Sequence, residues 1–176
     1  MNFVKTNKNL LITIIVALVL LSVIWIWKIV EIGNVKKAVE KDRQALKAQA
    51  IIKIVQSNEQ QLKALAKAYV WAVRTEMMQG NINEVNLFGS DMIKEKNFQV
   101  IAIANDKGII VSSTNKKQEG LSFSTIGKEE ALTSNDTNIN NAGDSILVMT
   151  SPIMGFNNRL GTLFIKYAVQ LPTFSE

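Results

Sequence analysis

Hydrophobic positions take three different spacings along this chain, and each predicts a different element. From Leu10 to Val30 the sequence LLITIIVALVLLSVIWIWKIV is apolar at nearly every position, with Thr13, Ser22 and Lys28 the only polar residues. At 1.5 Å per residue this run makes a helix of about 31 Å, the thickness of one hydrocarbon core. From Glu31 to Gln79 the apolar residues recur at helical spacing, first as Ile32, Val35, Val39 and Leu46, then as Ile51, Val55, Leu62, Leu65, Tyr69 and Ala72. Good helix formers dominate, Pro is absent and Gly33 is the only glycine, so a long stalk helix is predicted, stopped by Gly80. The two apolar sets do not share one register, which predicts a bend or a change of packing partner between Leu46 and Ile51.

Beyond Gly80 the period becomes strand-like. Residues 81–96 read as a connector with at most one short helical piece. Phe98–Ala104 and Ile109–Thr114 read as strands joined by the tight turn Asn105-Asp106-Lys107-Gly108. Both are apolar almost throughout, as strands covered on two faces are. Ser124–Leu132 is predicted as a short helix capped by Ser124 or Thr125. A polar loop over 133–144 has room for an edge strand at Thr137–Asn140. Ser145–Met154 and Leu160–Val169 form a closing hairpin with Asn157-Asn158 at its turn, and Pro152 belongs at an edge or a bulge. The expected class is α+β: a transmembrane helix continuing into a stalk helix, then an antiparallel sheet with short helices. The predicted divisions are a short cytoplasmic tail (1–9), the membrane anchor (10–30), the stalk (31–80) and a globular domain (81–176), on which the 51–79 part of the stalk packs.

A cleavable signal peptide would have a shorter apolar region and a small-x-small site after it. Here Trp25-Ile26-Trp27-Lys28 follows instead, so the run reads as an uncleaved signal anchor with its indoles at the interface. Counting lysines and arginines beside the span favours a cytoplasmic C-terminal side. That rule is strongest for short loops, and the domain type described below favours the N-terminus inside.

The 176 residues carry a formal charge of +5, with no Cys and no His. Disulfides, thiolate nucleophiles, zinc ribbons and histidine-based catalysis are thereby excluded. The positive excess lies in residues 1–80, whereas residues 81–176 hold eight basic and ten acidic side chains. A mildly acidic globular part does not fit a nucleic-acid partner. The lysines of 36–53 form a solvated face or touch anionic lipid headgroups. No paired catalytic carboxylates, metal cluster or phosphate loop is evident, so neither an enzyme nor a cofactor is expected.

The order span, long helix, then FQVIAIANDKGIIVSSTNKKQEGLSF resembles the extracytoplasmic Cache family of PAS-like domains, also described as the PhoQ-DcuS-CitA sensor fold. The first hairpin of that family is carried here by Asp106, Gly108, Ser112, Ser113, Thr114 and Gly120. Its closing hairpin is similar to SPIMGFNNRLGTLFI, with Pro152, Gly155 and Gly161. The resemblance covers residues 31–169. It implies a small-molecule pocket between the sheet and the loops over it, with Ser112, Ser113, Thr114, Thr150, Ser151, Arg159 and Tyr167 as candidate ligand contacts. It also implies a homodimer through the long helix, for which the Ile32–Leu46 stripe is the candidate seam. The Arg, Trp and Asp pattern of amino-acid-binding Cache domains is not evident.

Family members commonly continue into a second span and a cytoplasmic effector, and this sequence ends at Glu176. The expected role is therefore a membrane-anchored, periplasmic sensor in the cytoplasmic (inner) membrane, acting in signal transduction through a separate membrane or signalling protein. The alternatives are a structural or accessory subunit of a membrane complex without a ligand, and a truncated receptor.

Overall fold

The computed structural model describes residues 3–143 and 145–174, with side chains from residue 12 onward. The first two residues of the tail, Asp144 in the polar loop, and the Lys5 and Lys8 side chains lie outside this description. The described chain divides into two compact units, Met1–Ala50 and Ile51–Glu176.

The first unit is the N-terminal part of helix α1 (Phe3–Gln79). Its apolar run is long and apolar enough to cross a membrane: an 18-residue window has a mean hydropathy of 2.5 and none of it is buried. Trp25 and Trp27 are 72% and 73% exposed. Such a surface is stable only against lipid or another apolar partner.

In the second unit the end of α1 is amphipathic. Leu62, Ala66 and Val73 are buried, with Val55, Tyr69, Val70 and Met77 packed beside them. The buried line runs through Leu62, Ala66, Tyr69 and Val73 at alternating spacings of four and three. Leu65 and Ala72 fall at its exposed edge. Gly80 ends the helix at φ +74°, and the Asn81 N–H donates to Glu76 O at 2.8 Å. Left-handed backbone at this position suits glycine. A second helix, α2 (Ile82–Met92), fills most of the expected connector.

Five strands follow: β1 (Phe98–Asn105), β2 (Ile110–Ser113), β3 (Asn138–Asn141), β4 (Ile146–Met154) and β5 (Arg159–Ala168). They form one antiparallel sheet in the order β2-β1-β5-β4-β3, a PAS-like arrangement in an α+β fold. Pro152 pairs only with Thr162 of β5, because β3 ends opposite Thr150. Its missing N–H is therefore tolerated on a stretch of β4 that is locally an edge.

Alternation along the strands sorts side chains between two faces. Ile101, Ile103, Met149, Leu163 and Ile165 join Leu62, Val73 and Val85 on the helix side. Ala102, Ala104 and Phe164 join Ile110 and Phe123 on the opposite side. The register shifts where β1 meets β2, so Ala104 pairs with Ile110 but Ile103 pairs with Ser112. This bulge at Val111 turns Ser112 toward the helices although Ile110 faces away from them. Gly161 is required by close approach: a Cβ there would collide with the Ala104 carbonyl oxygen across the β1–β5 pair.

The predicted helix over Ser124–Leu132 is not formed. Two 3-10 turns, Phe123–Thr125 and Glu129–Leu132, occupy that stretch, and the capping residue of the first is Ser122 rather than Ser124 or Thr125. Phe123 is fully buried and meets Phe164 edge to face at 6.1 Å between ring centroids. Gly127 lies against the Phe123 ring, where an added Cβ would come within 2.7 Å. The segment is therefore shaped by contact with the sheet rather than by helical periodicity.

Candidate functional site

The side of the sheet away from the helices is only partly filled. Phe123 covers it near β1 and β2, and a cleft of about 770 Å³ remains over β3 and β4. Strand alternation builds its floor. Asn138 pairs with Thr150 and Asn140 with Val148, and all four line the cleft. Ile139 and Met149, between them in sequence, pack on the helix side. The polar spacing of Asn138-Ile139-Asn140 thus places two amides on the cleft wall. Its opposite wall comes from Ser124 to Ala131, including Ile126, Lys128 and Glu130. A cleft in which a few polar groups converge within a partly apolar lining is the usual form of a small-molecule site.

The polar groups differ in how far they are already engaged. Asn138 Nδ2 donates to Ser134 Oγ at 2.8 Å and to Asp136 O at 3.2 Å. Thr125 Oγ1 donates to Ser122 O at 2.7 Å. Asn140, Thr150, Lys128 and Glu130 have no side-chain hydrogen bond among the described residues. These four are the groups that a bound molecule could meet without displacing a bond within the protein.

Of the seven residues predicted to contact a ligand, Thr150 alone lines this cleft. Arg159 holds the cleft's wall to the sheet. Its guanidinium donates to Ser134 O at 2.8 Å, Ala131 O at 2.9 Å and Thr162 Oγ1 at 2.9 Å, while Nε is buried without a partner. Desolvation lowers the Arg159 pKa from its ordinary value. Ser151 Oγ pairs with Thr137 Oγ1 at 2.7 Å, where the chain enters β3.

Ser112 and Ser113 belong to a network beside α2. Ser112 Oγ donates to Asn86 Oδ1 at 2.8 Å, and Lys116 Nζ reaches the same oxygen at 2.9 Å. Ser113 Oγ donates to Gln118 at 2.8 Å. Burial works against the Glu119 charge, but hydrogen bonds from Lys116 at 2.6 Å and from the Ser113 N–H at 3.0 Å outweigh it and lower the carboxyl pKa. Thr114 Oγ1 accepts from the Ile101 N–H at 3.0 Å. Tyr167 Oη donates to Asn58 of α1 at 3.2 Å and accepts from Asn97 at 3.1 Å, and its ring meets Phe98 edge to face. These residues fasten the loop after β2 and the end of the sheet to the helices.

Asn140, Lys128 and Glu130 were missed by sequence reasoning. Lys128 and Glu130 belong to the stretch read as a short helix and Asn140 to the polar loop with its candidate edge strand, and only the placement of β3 beside β4 brings them together. Among the described residues no cluster of His, Cys, Asp and Glu could hold a metal ion.

No protein-family profile matches the sequence, and no curated protein matches it. Two solved structures of the sensory domain of the Campylobacter jejuni chemoreceptor Tlp3 (CcmL), one of them with isoleucine bound, are similar in fold. Each has a TM-score of 0.46 and 14% identity over 71% of this chain. The chain covers 60% and 61% of those domains. A likeness this distant assigns neither a ligand nor residue roles.

Proposed function

We propose that this chain is a membrane-anchored sensor-like protein that binds a small polar molecule in the cleft between the sheet and the 123–134 segment. The reading rests on one observation. The sheet face that could have been filled by side chains is instead open over β3 and β4, with Asn140, Thr150, Lys128 and Glu130 unengaged around the opening. Occupancy would join a wall held by Arg159 to a floor continuous with the sheet, so binding would favour one position of the 129–136 segment.

In this reading the apolar run spans the cytoplasmic membrane with the N-terminus inside and the domain in the periplasm. The protein binds and does not catalyse, and its signal passes to a separate protein. The Ile32–Leu46 stripe, with side chains 53–66% exposed, supports a homodimer seam. Cysteines at Val35 or Val39 should then cross-link in membranes. A reporter at the C-terminus should be accessible only from outside the cytosol.

The ligand test is a thermal-shift screen of the full chain in lipid nanodiscs, using small carboxylates, amines and polyols. At least one compound should stabilise the protein, and Thr150→Trp, which fills the floor, should abolish the shift. Absence of any shift, or a shift unchanged by Thr150→Trp, overturns the cleft as a ligand site.

A further inference from the structure

A second surface of the Ile51–Glu176 unit stands apart from the cleft. Lys63, Lys67, Trp71, Arg74 and Met78 follow one another at spacings of four, four, three and four, so they form a single stripe along the outer side of α1. Beside the stripe lies the turn between β4 and β5, with Phe156 82% exposed; Trp71 is 64% exposed. Trp71, Arg74, Thr75, Met78, Gln79 and Phe156 line one shallow groove.

The groove is held in shape. Arg74 donates to Gly155 O at 3.3 Å and lies 5.5 Å from the Phe156 ring centroid, so the turn is fixed to the helix. Lys67 Nζ lies 5.7 Å from the Trp71 ring. Two large rings left in water on a fixed scaffold, with cations against both, have the composition of an interaction hot spot.

Charge identifies the occupant. From Glu59 to Gln79 the cations are Lys63, Lys67 and Arg74 and the carboxylates are Glu59 and Glu76; Glu59, half-buried, sits at the far end of the stripe four residues before Lys63, so the groove end keeps Lys67 and Arg74 as its charges. The helical period turns Glu76 to the other side, where it accepts from Asn81 Nδ2 at 3.0 Å. A second copy is a poor fit, because a parallel two-fold pairing along this stripe would set Lys63, Lys67 and Arg74 against their own counterparts. An acidic surface with apolar anchors would neutralise the stripe and cover both rings.

We propose that the Trp71–Phe156 groove docks an acidic segment of a separate protein. This deepens the partner half of the reading above but uses none of the cleft residues, so failure of ligand binding at Thr150 would leave it standing.

The experiment uses the full chain in zwitterionic phosphatidylcholine nanodiscs with a tryptophan-free scaffold, and with Trp25→Phe and Trp27→Phe so that Trp71 is the sole indole. The probe is a short synthetic peptide of Glu, Asp and Leu with one Phe, and the control replaces each acidic residue with Lys. The acidic peptide should shift Trp71 emission, more weakly at high salt, and the control should not. Lys67→Glu and Phe156→Ser should each lower its affinity about tenfold or more. Both side chains are exposed, so folding is preserved, which an unchanged melting temperature checks. No emission change, or equal binding of both peptides, overturns the proposal. If Phe156→Ser instead reduces self-association in sedimentation, the groove is a contact between copies and the acidic partner is wrong.

Discussion

The two faces of the sheet are made by the same strands yet do different work. On the helix side Ile103, Met149, Leu163 and Ile165 are fully buried against α1 and α2. On the other side, their neighbours Val148 and Thr150 border a cleft walled by two 3-10 turns. One face binds the fold together by close packing, which tolerates little change of volume. The other is packed only in part, by Phe123, Ile126, Ala131 and Leu132, and is tied as well by the bonds from Arg159 to Ser134 O and Ala131 O.

Substitutions along β4 measure this difference most directly. Met149→Ala, on the packed face, should lower stability by about 2–5 kcal/mol. Denaturant titration checks this, and a loss no larger than that of Val148→Ala would mean the faces are equivalent. Arg159→Leu should cost less, about 1.5–3 kcal/mol for lost charge-assisted hydrogen bonds and two carbonyls left without their donor. Its signature is local: amide hydrogen exchange should accelerate over residues 129–136 while α1 and β5 stay protected. Global acceleration would show that Arg159 supports the whole core rather than the wall.

Tyr69 provides a pH test of the packed face. Its hydroxyl is buried with no partner, and desolvation raises its pKa from 10.0 to about 12. The folded state therefore favours the neutral phenol, while the unfolded chain begins to ionise near pH 10. The stabilisation is complete below pH 10 and is lost as the pH rises toward 12. Tyr69→Phe should remove this part of the alkaline slope and leave stability at neutral pH unchanged or slightly higher, since no hydrogen bond is lost. An identical slope in the variant would show that the phenol is solvated.

The packed face was largely legible in the sequence because periodicity encodes it. Phe98–Ala104, Leu160–Val169 and the Leu62–Tyr69 spacing announce strands and a helix with a buried side, and Gly80 and Gly108 mark stops and turns by their backbone freedom. The open face was not. The bulge at Val111 reverses which side Ser112 faces, and no local pattern signals it. Glu129 and Glu130 look like a helix start, yet the stretch before them, at Gly127, is held flat against Phe123. The candidate hydroxyls were chosen for lying on or near strands, but strand residues alternate, and in a small domain most are claimed by neighbouring helices, strands and loops. Ser112, Ser113, Thr114 and Ser151 are each satisfied in that way. Lys128 and Asn140 come from distant segments with no shared motif, so only the sheet order places them at one opening.

The smallest stability effect should therefore fall where the functional effect is greatest. Thr150 is nearly buried, at 7% exposure, but its side chain borders the cleft and bonds no other side chain. Thr150→Val keeps the shape and removes the hydroxyl. Because no hydrogen bond within the protein is broken, stability should change by no more than about 0.5 kcal/mol. Any compound that stabilises the wild-type chain through this floor should lose affinity about tenfold, the ordinary worth of one hydrogen bond in a desolvated site. Calorimetric titration of the same compound into both proteins separates these quantities. A variant that binds as tightly as wild type would place the ligand away from β4, and one that unfolds would return Thr150 to the packed core.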